Sequence, residues 1–111
     1  MYVFELIIMI KILDKTGHNK IATIEDDKTV RASGKTIGHV ETSGEVFDQK
    51  NEKVGRVRFS DGYVFNYQNS PVGSVHSDGR VFDYQNNPVG KIDGEPMGLG
   101  GAALLLLVLA E

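Results

Sequence analysis

Ten residues recur three times along this chain. Val81–Gly90 reads Val-Phe-Asp-Tyr-Gln-Asn-Asn-Pro-Val-Gly, Val64–Gly73 reads Val-Phe-Asn-Tyr-Gln-Asn-Ser-Pro-Val-Gly, and Val46–Gly55 reads Val-Phe-Asp-Gln-Lys-Asn-Glu-Lys-Val-Gly. A recurring phrase of this length means that one small unit is arrayed several times, and it outranks any local reading. The glycine column continues upstream as Gly38, with Ala22 in the same place sixteen residues earlier. A β-branched residue precedes each column position: Ile21, Ile37, Val54, Val72 and Val89. Another follows two residues later: Ile24, Val40, Val57, Val75 and Ile92. An earlier arm opens with Ile12, Val30, Val46, Val64 and Val81. Five units of 16–18 residues therefore fill 12–94, the first two degenerate, as capping units are.

Each unit reads as a β-hairpin. In the last, Val81–Tyr84 forms one arm, Gln85–Pro88 a turn, and Val89–Ile92 the returning arm. Asn and Pro between β-branched runs are turn chemistry. Thr42-Ser43-Gly44, Ser60-Asp61-Gly62 and Ser77-Asp78-Gly79 join the units, and Gly at these joints takes positive φ without strain. Alternation places Val81 and Asp83 on one face and Phe82 and Tyr84 on the other. A glycine recurring inside a strand marks a bulge, a bend or a close approach by another element.

The chain end supplies what would approach. Met97–Ala110 carries no charge and ends in a run of Leu and Ala, strong helix formers. At 14 residues it falls short of the roughly 20 that cross a bilayer. A helix apolar on every side has to be buried on every side, by the hairpins or by other subunits. The opening segment, 1–12, reads as a long buried strand. It has no basic start or cleavage site, so it does not resemble a signal peptide. The expected fold is a single mainly β domain, 1–111: an N-terminal strand (1–12), hairpin repeats (12–94), and a single apolar C-terminal helix (97–110) at their centre.

Bulk properties narrow the function. The 111 residues carry a net charge of −3 and no cysteine, so nucleic acid is not an expected partner. Disulfides and thiolate metal sites are excluded, and a cytoplasmic location fits. His18, His39 and His76 fall in three different columns and share no ligand spacing; they read as exposed loop or strand residues. The column Asp14, Asp48, Asn66, Asp83 could ring a cation. The alternative is that each side chain caps its own turn, a role Asn fills as well as Asp. Phe47, Phe65 and Phe82 read as packing residues. The turn residues Tyr67, Gln68, Tyr84 and Gln85 are the candidate surface for a ligand or partner. Gly98, Gly100 and Gly101 read as packing glycines; no P-loop Lys accompanies them.

The Val-Phe-Asp-x-Gln-x-x-x-Val-Gly-x-Ile phrase, followed by Gly98-Leu99-Gly100-Gly101-Ala102-Ala103 and Leu104–Leu107, resembles the bacterial 4-fold beta-flower domain family, over roughly residues 10–110. That resemblance implies β-hairpin petals about a centre, with no catalytic residue assigned. Tyr-Asp repeats of the Rhs type and membrane-occupation repeats fit less well, in glycine placement and in the lack of Trp. The expectation is a non-catalytic module without cofactor or metal that assembles with itself as a homo-oligomer or binds a protein partner. Two alternatives stand beside it: a small-molecule or carbohydrate module using the repeat aromatics, and membrane association through the Leu-rich tail, which its length disfavours.

Overall fold

The computed structural model describes residues 9–110. Its ten strands are β1 (Ile10–Leu13), β2 (Lys20–Ile24), β3 (Thr29–Ala32), β4 (Lys35–Val40), β5 (Glu45–Asp48), β6 (Lys53–Arg58), β7 (Tyr63–Asn66), β8 (Pro71–Val75), β9 (Arg80–Asp83) and β10 (Pro88–Asp93). Each pairs antiparallel with its sequence neighbours, and β1 also pairs with β10. The meander thus closes into a barrel. Closure removes free strand edges, so the first hairpin is not a cap; it completes the ring. The expected strand over 1–12 appears as Ile10–Leu13, and its first eight residues lie outside the described ones.

Within each hairpin the arm's β-branched residue faces the column position: Ile12 pairs with Ala22, Val30 with Gly38, Val46 with Gly55, Val64 with Gly73, and Val81 with Gly90. The register then slips by one, skipping Ile21, Ile37, Val54, Val72 and Val89 in turn. A bulge of this kind bends the strand and sharpens its twist, which a small barrel requires. Across hairpins, Ile24 meets Val30, Val40 meets Val46, Val57 meets Val64, Val75 meets Val81, and Ile92 meets Ile12. These β-branched side chains point inward and are buried. Pro88 opens β10 rather than closing the turn; the turn's sharp residue is Asn86, at φ 69°.

The C-terminal helix runs along the barrel interior. It is α-helical over Met97–Ala103 (α1) and π-helical over Leu104–Val108. Gly98, Gly100 and Gly101 let its first turns approach the wall. A Cβ at Gly100 would sit 2.6 Å from Ile92 Cγ2, and one at Gly101 would collide with Val75. Higher up, the roles reverse. Leu104, Leu105, Leu106 and Leu107 press their methyls onto Gly90, Gly73, Gly55 and Gly38 respectively. Four consecutive helix residues thus meet four consecutive hairpins. The helix is enclosed by one chain, and Leu104, Leu106 and Leu107 are buried while Leu105 and Val108 are half-buried. Its end is not enclosed: Leu109 is 48% exposed.

A side chain in the glycine column would meet obstacles on two sides. At Gly73 a Cβ would lie 2.7 Å from a Leu105 methyl and collide with the Phe82 carbonyl oxygen of the neighbouring arm. Side chains can shift; a strand backbone yields at higher cost. Ser74, one residue on, points outward and is half-buried. Gly73→Val should therefore lower the unfolding free energy by at least about 3 kcal/mol, whereas Ser74→Val should change it by less than about 0.5 kcal/mol. Thermal melts of the two variants check this, and equal midpoints would refute the packing account.

Candidate functional site

With the interior filled, the surface groups sit on the strands' outer face and at the barrel ends. Among the described residues no polar or charged side chain is buried. The hairpin turns share one end. There Asp48 Oδ1 accepts from the N–H groups of Lys50 and Glu52, Asn66 Oδ1 from Gln68 and Ser70, and Asp83 Oδ1 from Gln85 and Asn87, all at 2.9–3.0 Å. Asp14 does the same for Thr16 and Gly17 at 3.1 Å. The acidic column is thus a set of turn caps, and Asn66 performs the role without a charge. Among the described residues no group of three or more His, Asp or Glu is placed to hold a metal ion.

The loops joining hairpins occupy the other end. Gly44, Gly62 and Gly79 adopt positive φ there. Their carbonyl oxygens accept from the N–H groups of Val57, Val75 and Ile92 on the following return strands. Asp61 and Asp78 accept from the backbone N–H of Tyr63 and Arg80, and pair with the guanidinium groups of Arg58 and Arg80. These contacts favour the charged carboxylates. Hydrogen bonds from Thr16 and Asn19 hold Asp14 well below the usual range. Thr29 lowers Asp27, the Arg58 side chain lowers Asp61, and the Arg80 N–H lowers Asp78.

Phe47, Phe65 and Phe82 lie half-buried on the outer face rather than stacked on one another. Each is covered by a group from the neighbouring return strand. His39 stacks on Phe47 with ring centroids 4.8 Å apart and planes 6° apart, so His39 is a packed residue; His18 and His76 are exposed. Arg56 and Arg58 lie 4.7 and 4.9 Å from the Phe65 centroid. His76 lies 4.4 Å from Phe82, and Arg80 lies 5.4 Å away.

Of the predicted surface, Tyr67 and Tyr84 are 71% and 73% exposed, at the tips of adjacent hairpins; Gln68 and Gln85 beside them are also exposed. Sequence reasoning missed Tyr63, 47% exposed at the start of β7. Tyr63, Ser74 and Asn86 border a shallow groove of about 530 Å³ that also reaches His76, Asp78 and Arg80. A second hollow of about 260 Å³ shares those three residues and adds Tyr84. Neither hollow is lined by Tyr67, Gln68 or Gln85. The signal for Tyr63 lay in the linker columns, where Arg80 holds the matching position after Gly79. Comparison with known protein families, with curated proteins and with solved structures finds no match.

Two outcomes follow from the turn chemistry. Asp83→Asn should leave the melting temperature within about 1 °C, because Asn66 already fills that role, while Asp83→Ala should lower it by about 5 °C. Millimolar calcium should shift neither protein; a calcium-dependent rise in the wild type would restore the cation reading. Lowered carboxylate pKa values stabilise the fold above the unfolded value of about 3.9, and this is lost as pH falls through the folded values. Denaturation midpoints should therefore stay flat from about pH 7 to 5 and drop below about pH 4.

Proposed function

We propose that the chain is a non-catalytic protein-binding module, a set of β-hairpin repeats about an apolar helix in the manner of the beta-flower family. One observation carries this reading: large aromatic side chains stand exposed beside arginines on neighbouring hairpins. Tyr63, Tyr67 and Tyr84 have 47%, 71% and 73% exposure; Arg58 lies 6.0 Å from the Tyr63 ring, and Arg80 lines the same groove as Tyr63. Tyr and Arg are the residues that anchor interfaces. The closed strand order offers no edge for an added strand, which directs recognition to side chains on the outer face.

Enclosure of Leu104–Leu107 within one chain removes the main motive for a homo-oligomer. It also weakens the reading of a membrane-inserting tail, and no helix among the described residues is long and apolar enough to cross a membrane. A carbohydrate or small-molecule reading draws on the same tyrosines, but shallow hollows enclose little of a ligand.

The Tyr67→Ala/Tyr84→Ala double variant should melt within about 3 °C of the wild type and lose the proteins that cross-link to the wild type in its host. A variant that keeps the same cross-linked partners would overturn the reading. Light scattering should give the 12.2 kDa monomer; a stable dimer would favour self-assembly instead.

A further inference from the structure

The residue after the glycine column faces outward on each return strand, and in three hairpins it is basic: His39, Arg56 and Lys91. Each reaches across to the next arm. His39 pairs with and stacks on Phe47. Arg56 pairs with Phe65, lies over its ring, and donates from Nη2 to Asn69 Oδ1 at 2.8 Å. Lys91 pairs with Leu13 and passes over the turn at Gly17. In the first hairpin the charge sits on the other strand, as Arg31 opposite Thr23. Only β8 departs from this pattern. Ser74 stands there, between Tyr63 on β7 and Phe82 on β9.

Much of the Arg56 seat recurs around Ser74, with one difference: Arg80 lies 5.4 Å from the Phe82 centroid, where Phe65 has Tyr63 at the matching position. Phe82 corresponds to Phe65, and Asn86 to Asn69, with φ of 69° and 67°. His76 flanks Phe82 as Arg58 flanks Phe65. The Asn69 carboxamide accepts from Arg56, whereas the Asn86 carboxamide has no hydrogen-bond partner among the described residues. The groove of about 530 Å³ lies over this position, lined by Ser74 and Asn86. Charge does not bar a cation. Arg80, on the groove wall, is paired with Asp78 at 2.8 Å, Asp61 is paired with Arg58 at 2.7 Å, and Asp83 lines the second hollow.

We infer that the slot over Ser74 receives an arginine side chain from a partner protein, its guanidinium lying on Phe82 and donating to Asn86 Oδ1 as Arg56 does on Phe65 and Asn69. This rests on the reading of the outer face as protein-binding and names the chemistry that it recognises. A cation over an aromatic ring together with one hydrogen bond is a weak contact alone, so the arginine serves as one anchor within a larger interface.

The test is a titration of the ¹⁵N-labelled full chain with N-acetyl-arginine amide, followed by NMR. Saturable shifts are expected at Ser74, Phe82 and the Asn86 side-chain amide. The neutral isostere N-acetyl-citrulline amide should bind at least about fivefold more weakly, lacking the cation. Ser74→Arg should fill the slot from within, move the Asn86 side-chain signal, and abolish the response to the probe. If that variant misfolds, Asn86→Ala should weaken the response instead. Absence of saturable shifts at the slot, an equal response to citrulline, or a response unchanged in the folded variant would overturn the inference. The titration involves no partner, so its failure leaves the tyrosine test untouched, and the converse also holds.

Discussion

The contact between Leu104–Leu107 and the glycine column governs this structure. A ten-stranded barrel has more interior than its own inward β-branched residues can fill. The first arms fill the inward positions of Val30, Val46, Val64 and Val81 themselves. Directly opposite those residues the return arms present glycine, and the helix supplies the side chain. Each leucine fills the space that a strand residue would otherwise occupy. Wall and plug are therefore specified together: a larger wall residue collides, and a smaller plug residue leaves a void that costs about 2–5 kcal/mol per leucine truncated.

The helix geometry follows from the same demand. Five hairpins divide the circumference into steps of about 72°. An α-helix turns about 100° per residue, too fast for consecutive residues to meet consecutive hairpins. A π-helix, closed by i→i+5 bonds, has about 4.4 residues per turn and steps about 82°. The chain adopts that form where Leu104–Val108 faces the column, with Leu109 N–H donating to Leu104 O at 2.9 Å. Val108, next along the helix after Leu107, is half-buried against the core, and the first hairpin carries Ala22 where the other four carry glycine. The extra methyl on the wall coincides with one carbon fewer on the helix, a volume-conserving exchange.

Much of this was legible in the sequence because period and position carry it. The glycine column at Gly38, Gly55, Gly73 and Gly90 announced a close approach, and the uncharged tail announced what approached. The turn caps were legible because Asn66 could stand in for Asp. Closure was not legible: pairing of β1 with β10 joins residues eighty apart, and weakly matching first units suggested a cap. The π-helix was equally hidden, since Leu and Ala favour α-helix by propensity and only the barrel's symmetry imposes the wider turn. On the surface, Tyr67 and Tyr84 stood out as repeated turn residues, but Tyr63 lay in a linker where no repeated aromatic drew notice.

The two faces of the wall are under different constraints. The inner face is held to Val, Ile, Ala, Gly and Leu by mutual packing, and four of the five hairpin turns carry a capping Asp or Asn, the second having Ala32 there. The outer positions answer to neither constraint, so differences among the hairpins collect there. His39, Arg56, Ser74 and Lys91 occupy one structural place and are four different residues. Three of them lie across the next arm, and the fourth leaves its place open beside Phe82 and Asn86. A wall built from like hairpins gains a distinctive site by omitting a side chain, because the surrounding hairpins still hold the shape into which that side chain fits.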